Sequence, residues 1–237
     1  MDAESRIVVI GFAEDGAHEW KSELLEGVLD VDTAALLGQV LARWHADTRH
    51  SPPDIRSQFG SLEAFDQLRI DPFYRWTARQ HPQVADAILS TAERMLTSQK
   101  CLVHGDFSPK NILRGGPTST WVIDWEVAHY GDPVFDLAFL VSHLACKALH
   151  RPDLTDGFRQ LSETFLASYR SVELQSNTDW DETYLARHIV CLVLARIDGK
   201  SPVSYLNDDA RDRGRSTALR LLETPELSMF HIWKALS

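Results

Sequence analysis

Three oxygen-bearing side chains near the middle of the 237-residue chain have types and spacing suited to chemistry on phosphate groups. Asp106 and Asn111 lie five positions apart in the segment 104–111, and Asp124 follows thirteen positions later. Phosphoryl transfer needs one carboxylate that accepts or orients the proton of the attacking hydroxyl, and further oxygen ligands that hold Mg²⁺ against the phosphates. Hard cations prefer carboxylate and amide oxygens to thiolates or imidazoles. The loop therefore offers a proton acceptor and a metal ligand at its two ends, and Asp124 stands where a second ligand would.

The same residues have other interpretations, and the sequence leaves them open. Asp and Asn are also ordinary residues of polar turns. His104, Asp106 and Asp124 could be ligands of a metallohydrolase, although neither an HxH nor an HExxH pattern accompanies them. A hydroxyl nucleophile is disfavoured, because Ser108 precedes a proline and lacks the G-x-S-x-G turn.

Short strands are predicted on both sides of these residues. The runs 111–113 and 121–123 are separated by the segment 114–118, which contains Gly115-Gly116-Pro117 and predicts a hairpin turn. Such a hairpin would bring Asn111 and Asp124 side by side. A further short apolar run is Leu102-Val103, and the β-branched segment 7–12 indicates one buried strand.

Elsewhere the apolar residues recur at helical spacing, so the predicted fold class is α+β and mostly α. In the first long helix one apolar face is expected to carry Leu36, Leu37, Val40, Leu41 and Trp44. The motif Asp71-Pro72 is expected to interrupt the second helix, and Pro82 is expected to open the third. The predicted helices cover residues 32–45, 61–69, 82–95, 134–149, 155–170, 181–197, 210–222 and 225–235.

Composition excludes several classes of protein. The formal net charge of −10, from 24 Lys and Arg against 34 Asp and Glu, argues against nonspecific binding of nucleic acid. The longest apolar runs have seven residues, far short of the ~18 that cross a membrane, and the N-terminus lacks the pattern of a signal peptide. Three cysteines without a CxxC motif are expected to be buried free thiols, namely Cys101, Cys146 and Cys191. We therefore expect a cytoplasmic protein that binds neither membranes nor nucleic acid.

The motif set as a whole resembles the aminoglycoside phosphotransferase/choline kinase family, which shares the protein-kinase-like fold. The segment His104-Gly105-Asp106 through Asn111 is similar to that family's catalytic loop and has the Asp-x-x-x-x-Asn spacing of protein kinases. The segment 124–126 (Asp-Trp-Glu) resembles its metal-binding segment, and 131–138 resembles the stretch that follows. Residues 37–45 and 195–202 also look like parts of bacterial members, so the likeness begins at about residue 6 and covers most of the chain.

The resemblance implies a role for each matching residue. Asp106 would be the catalytic base, and Asn111 and Asp124 would be the ligands of Mg²⁺. Asp136 would be a structural anchor of the loop, and His104 is interpreted as bracing the loop rather than as a base.

Four further side chains are candidates for contacts with nucleotide, phosphate or substrate: Lys110, Glu126, Arg196 and Lys200. Each also has a plainer interpretation. Lys110 suits a solvated loop, and Glu126 suits a hydrogen bond behind the metal ligands. Arg196 and Lys200 suit the end of a helix that stops at Gly199 in the C′ position, where cations complement the helix dipole.

The chain differs from the family in lacking its β-rich first lobe, with the nucleotide-covering loop and the strand lysine. We therefore interpret residues 1–12 as a remnant strand and hinge of that lobe, and residues 13–237 as the helical C-lobe. Without the cationic clamp, this chain alone is expected to bind nucleotide poorly and to turn over slowly.

The activity implied is transfer of the γ-phosphoryl group of ATP, with Mg²⁺, to a hydroxyl of a small molecule. An aminoglycoside, an amino alcohol or a methylthioribose-like sugar would suit, and the acidic chain slightly favours a cationic acceptor. The alternative is a catalytically silent lobe, or half of a kinase, that acts as an interaction protein or needs a partner chain. In that case we expect self-association through apolar surface near residues 7–12 and the hairpin.

Overall fold

The computed structural model describes residues 13, 15–49, 53–115, 119–173 and 181–237. Helices with small antiparallel sheets make up this part of the chain, which confirms the predicted mostly α class. The strand predicted at residues 7–12 lies outside the described residues. Within the described part, no helix is both long and apolar enough to cross a membrane.

The observed helices match most of the predicted ones and extend several of them by a turn. In chain order they are α1 (Trp20–Glu26), α2 (Val31–Arg49), α3 (Pro53–Gln58), α4 (Glu63–Phe65), α5 (Trp76–Gln80), α6 (Ala85–Leu96), α7 (Val134–His150), α8 (Thr155–Glu173), α9 (Glu182–Asp198), α10 (Asp208–Leu222) and α11 (Met229–Leu236). A π-helix, Asp66–Arg75, joins α4 to α5, and a 3₁₀ turn, Pro82–Val84, precedes α6.

Two small antiparallel sheets hold the segment with the polar residues. The strands are β1 (His18–Glu19), β2 (Cys101–Val103), β3 (Ile112–Arg114), β4 (Thr120–Val122) and β5 (His129–Gly131). The β3–β4 pair, with Leu113 opposite Trp121, confirms the predicted hairpin. The sequence did not predict that β1 would pair with β3 or that β2 would pair with β5.

Helix α7 lies at the centre of the core and packs against α8, α9 and α10. Its residues from Val134 to Leu149 are all buried, as expected for a helix that is apolar on nearly every side. The backbone N–H of Val134 donates to the carboxylate of Asp132 at 3.1 Å, which satisfies one unpaired donor of the first turn. The three cysteines are buried and form no disulfide with one another, as predicted.

Helix α2 packs closely against α8, and Gly38 permits that approach. A Cβ on Gly38 would lie 2.3 Å from the carbonyl oxygen of Phe165. The buried face of α2 includes Leu37, Leu41 and His45. The prediction was wrong for Leu36 and Val40, which are each 40% exposed because the face toward α8 is narrower than the apolar pattern suggested.

The predicted interruption at Asp71-Pro72 was also wrong. Pro72 lies inside the π-helix, and the helical path continues through α5 to Gln80. Proline breaks an α-helix because it lacks an N–H and crowds the preceding turn. The wider π-helical turn accommodates it here, and such turns recur at functional sites.

Candidate active site

A fully buried carboxylate, Asp136 on α7, fixes the start of the loop that carries Asp106. It accepts hydrogen bonds from the backbone N–H groups of His104 at 2.8 Å and Gly105 at 2.9 Å. His45 Nε2 on α2 donates to the same carboxylate at 3.2 Å, and the hydroxyl of Tyr169 on α8 donates to His45 Nδ1 at 2.9 Å. Three helices therefore converge on the backbone of the loop.

Electrostatics keep this anchor charged. Burial by itself would raise the pKa of the Asp136 carboxyl, but the hydrogen bonds from His45 and from the backbone of His104 contribute to bringing the pKa below its usual value. An ionised carboxylate accepts several hydrogen bonds at once, so one side chain can hold two successive loop amides.

The turn at Gly105 can be made only by glycine. Its φ of +78° lies in the left-handed region, and a Cβ there would lie 2.7 Å from the carbonyl oxygen of Val127. This close approach places the loop against the segment that follows β4.

His104 links the same two segments through both nitrogens of its ring. The backbone N–H of Asp106 donates to Nδ1 at 3.1 Å, and Nε2 lies 3.0 Å from the carbonyl oxygen of Ile123. This pattern requires the neutral tautomer with the proton on Nε2, which then donates to Ile123. His104 is fully buried, so its contacts are those of a brace between Asp106 and the residue before Asp124.

Asn111 and Asp124 lie together at the open end of the hairpin. The Asn111 amide nitrogen donates to the carbonyl oxygen of Asp106 at 3.0 Å, which leaves the amide oxygen available as a ligand. The N–H of Ile123 donates to the carbonyl oxygen of Asn111 at 3.0 Å. Asp124 has a φ of +69°, and it is the one non-glycine residue of the described chain with a positive value. Such a backbone is uncommon and recurs at functional sites.

Asp106 is 3% exposed and lies between two cations. Its Oδ2 atom is 3.0 Å from a terminal nitrogen of Arg69 and 2.9 Å from Lys110 Nζ. The same Lys110 Nζ lies 3.8 Å from Oδ2 of Asp124, so one ammonium group contacts both carboxylates.

Arg69 is the member of this site that the sequence did not reveal. It lies on the π-helix, and its Nε also donates to the carbonyl oxygen of Gly105 at 2.7 Å. No motif surrounds it, and 37 positions separate it from Asp106. Only the path of the π-helix brings it to the loop.

The sequence of the chain matches a known protein family. The model of the phosphotransferase enzyme family matches residues 13–185, nearly three quarters of the chain. The chain belongs to the phosphotransferase enzyme family. This membership confirms the resemblance that the motifs carry. No curated protein matches the sequence.

Several solved structures of kinases are similar to the chain. A glucosamine kinase in complex with glucosamine, ADP and inorganic phosphate has 20% identity and a TM-score of 0.48. A choline/ethanolamine kinase family protein from Mesorhizobium loti has 17% identity and a TM-score of 0.47. A spectinomycin phosphotransferase in complex with ADP and spectinomycin has 14% identity and a TM-score of 0.47. The matches cover 94% of this chain, and 61%, 71% and 69% of those chains respectively, so the chain spans about three fifths of the glucosamine kinase.

The donor atoms of this family member fit a hard divalent cation. Within the described residues, no three His, Cys, Asp or Glu side chains are grouped closely enough to hold a metal ion by themselves. Mg²⁺ usually takes one or two carboxylates and completes its shell with water and substrate phosphates. The amide oxygen of Asn111 and the carboxylate of Asp124 supply such a partial set, and Asp124 is about one third exposed.

The remaining candidates lie in different places. Glu126 is exposed, and it makes no ion pair within 4.0 Å with any described residue. Lys200 lies 2.5 Å from the carboxylate of Asp71, and the hydrogen bond from Lys200 lowers the pKa of that carboxyl. Helix α9 ends at Asp198, so it stops before Gly199 as predicted, and Gly199 has a φ of −76°, which is not left-handed. Arg196 instead turns toward a cavity beside Lys110.

Proposed function

We propose that the chain carries the catalytic groups of a phosphotransferase that moves the γ-phosphoryl group of ATP to a hydroxyl of a small molecule. The observation that supports this best is the convergence of Asp106 and Asp124 on one ammonium group, with the Asn111 side chain tied to the backbone of Asp106. In this proposal the proton acceptor and the two oxygen ligands would share one small volume. Residues 13–237 would form the helical catalytic lobe.

In this proposal each residue has one task. Asp106 orients the acceptor hydroxyl and takes its proton as the bond to phosphorus forms. Arg69 and Lys110 hold the carboxylate in place, and Lys110 is also near enough to compensate negative charge on the transferred group. Asn111 and Asp124 would hold Mg²⁺, which when bound supplies positive charge against the phosphates.

Titration of nucleotide followed by turnover tests the proposal. We expect Mg·ATP to bind the wild-type chain weakly in calorimetry, and Asp124→Ala to weaken that binding further. Asp106→Asn should leave nucleotide binding unchanged and lower ADP formation with acceptor by about 10²-fold or more, the usual contribution of a general base. Mg·GTP, titrated in parallel, reports the nucleotide preference.

Asp209→Asn is the matched control, because Asp209 is exposed on α10 and outside the site. It should match the wild type in both measurements. Nucleotide binding that Asp124→Ala does not weaken would contradict the metal assignment. Turnover that survives Asp106→Asn would contradict the assignment of the base.

One observation favours a second function, that of an interaction lobe. Leu36, Val40 and Trp44 recur at every fourth position of α2 and form a stripe along it. Trp44 stacks on Trp125 with ring centres 3.7 Å apart, which carries the stripe toward the hairpin. Trp121 and Ile123 add exposed apolar area there, at 41% and 38% exposure. Exposed apolar side chains grouped in this way commonly mark a surface that binds another protein.

A further inference from the structure

A cavity of about 190 Å³ lies next to Lys110, and four of its nine lining residues are lysine or arginine. Lys110, which contacts Asp106 at 2.9 Å, forms part of its wall. The rest of the wall comes from α1, α7, α9 and the loop after α9. The charged or ionisable side chains of the wall are Lys21, Lys110, His143, Lys147, Arg196 and Tyr205. No carboxylate of the described chain belongs to it.

Lys147 is the most unusual of these groups. It is 1% exposed, and its only recorded hydrogen bond is a long one, 3.5 Å, to the carbonyl oxygen of His143. No carboxylate of the described residues lies within 4.0 Å of it, and the nearest compensation is the ring of Tyr205, 5.5 Å away. A buried ammonium without a counter-ion is costly, so its pKa falls, and a group of this kind in the wall of a cavity is a candidate for contact with a ligand.

Other polar atoms around the cavity also lack partners. His143 Nε2, Arg196 Nε and the hydroxyl of Tyr205 are buried and make no hydrogen bond with the described residues. His143 itself is 6% exposed. Buried polar atoms are nearly always satisfied, so several orphans around one cavity indicate a missing polar partner. Arg196 Nε and the hydroxyl of Tyr205 could donate hydrogen bonds to a ligand that carries acceptor oxygens.

The lysine and arginine side chains of the cavity favour a negatively charged ligand. Arg196 donates to the carbonyl oxygen of Ser201 at 2.8 Å. Burial lowers the pKa of its guanidinium, and the charge of Asp106 is one of the smaller effects that oppose this shift. An anion would be attracted by several cations at once in a space that holds about six water molecules. This volume suits a carboxylate or phosphate group with a short part of its carbon skeleton.

We infer that the acceptor of this phosphotransferase is anionic, and that its carboxylate or phosphate group enters this cavity while its hydroxyl faces Asp106. The inference rests on the proposed function. It also reverses the expectation from net charge, because no acidic residue is among the lining residues of the cavity, whereas four of them are lysine or arginine.

Binding of an anion in the cavity is expected to add a proton to Lys147, and this proton uptake can be measured. Burial, with the nearby charges of Lys21 and Arg196, lowers the pKa of Lys147 to about 7, against a smaller opposing effect of Cys146. Burial also lowers the pKa of His143, and raises those of Cys146 and Tyr205. An anion beside Lys147 favours its charged form. At pH 8 the free protein holds Lys147 mostly neutral, and the complex would therefore take up a proton.

Calorimetry without nucleotide tests the site. The probes are inorganic phosphate and gluconate, with glucose as the neutral counterpart, each titrated at pH 8 in two buffers of different ionisation heat. We expect both anions but not glucose to bind, with proton uptake. Lys147→Met should weaken anion binding by about tenfold or more and abolish the uptake. Lys234→Met, on an exposed residue of α11, is the matched control and should change neither.

Turnover separates this inference from the proposed function. ADP formation is measured with gluconate and glucose 6-phosphate against glucose and glucosamine, and preference for the anionic acceptors supports the inference. Anions that fail to bind, or bind equally well to Lys147→Met, overturn it whatever the activity. Activity confined to glucose or glucosamine overturns the acceptor class and leaves the phosphotransferase intact. Anion binding at Lys147 in a chain that binds no Mg·ATP overturns the proposed function, and the assignment of the anion as acceptor fails with it.

Discussion

At the scale of single residues, the site depends on one carboxylate held between two cations of different kinds. Lys110 reaches Asp106 from the same loop, whereas Arg69 reaches it from the π-helix. The guanidinium also donates to the backbone of Gly105, so it fixes both the loop and the side chain. Arginine suits this task because its rigid fork of donors can satisfy two acceptors in fixed geometry.

We predict that Arg69 is a positioning residue for the proposed base. Arg69→Leu should lower kcat by about 10- to 100-fold, because a small displacement of a catalytic group is enough to slow the reaction. The affinity for Mg·ATP should stay unchanged, since Arg69 contacts neither Asn111 nor Asp124 through any recorded bond. Steady-state kinetics and nucleotide titration measure the two effects separately.

The control is Arg75→Leu on the same π-helix, which removes a half-exposed pair with Asp66 instead. It should leave kcat unchanged. If both variants lowered kcat and nucleotide affinity together, Arg69 would have only a structural role in the π-helix.

At the scale of secondary structure elements, the contact between α2 and α8 determines where His45 and Tyr169 meet. These side chains connect the two helices to Asp136 and so to the loop that carries Asp106. The helices approach closely at Gly38 because no side chain separates their backbones there. The packing of α2 therefore affects both stability and the position of the loop.

We predict that Gly38→Ala destabilises the protein despite the better helix propensity of alanine. The added methyl group would lie 2.3 Å from a backbone oxygen, which cannot turn aside as a flexible side chain could. The helices must separate, and overpacking of this kind costs about 1–3 kcal/mol of unfolding free energy. Urea denaturation followed by circular dichroism measures the change.

The neighbouring Gln39→Ala is the control, because Gln39 is exposed on the same helix. Its unfolding free energy should stay within about 0.5 kcal/mol of the wild type. Equal stability of Gly38→Ala and the wild type would show that α2 and α8 can separate without loss.

At the scale of the whole molecule, two surfaces of opposite character lie near the site. The cationic cavity has the buried side chains of His143 and Lys147 in its wall. The stripe formed by Leu36, Val40 and Trp44 instead continues through the stacked ring of Trp125 toward the exposed hairpin. The first suits a small ligand and the second suits a macromolecular surface. The two proposed functions therefore concern different faces and can be tested independently.

We predict that the chain associates with itself at high concentration through the apolar stripe. The double variant Val40→Gln, Trp121→Thr should lower the weight-average mass seen by light scattering, because it removes two of the exposed apolar side chains. Phe230→Ser is the control: Phe230 is 67% exposed on α11, outside the stripe, and its loss should not change the association. A monomeric wild type at high concentration would contradict the prediction.

The sequence alone was enough to predict which polar side chains the loop carries and where most helices and strands lie. Asp106 and Asn111 lie on one short loop, and the hairpin that brings Asp124 beside them depends on a local turn signal. The helices were also recoverable, because apolar periodicity reflects burial along a single element. Periodicity overestimated the buried face at Leu36 and Val40, since it cannot report how wide the partner's surface is.

The tertiary structure decided what surrounds those groups. Arg69 reaches Asp106, His45 reaches Asp136, and Lys147 meets Arg196 at one cavity only because helices distant in the sequence pack together. Pro72 would end an ordinary helix, and only the π-helical path carries Arg69 to the site. The charge around the cavity was also decided by the tertiary structure. The net charge of −10 is a sum over the whole chain. The electrostatic field at a binding site depends instead on which charged side chains the fold brings together there.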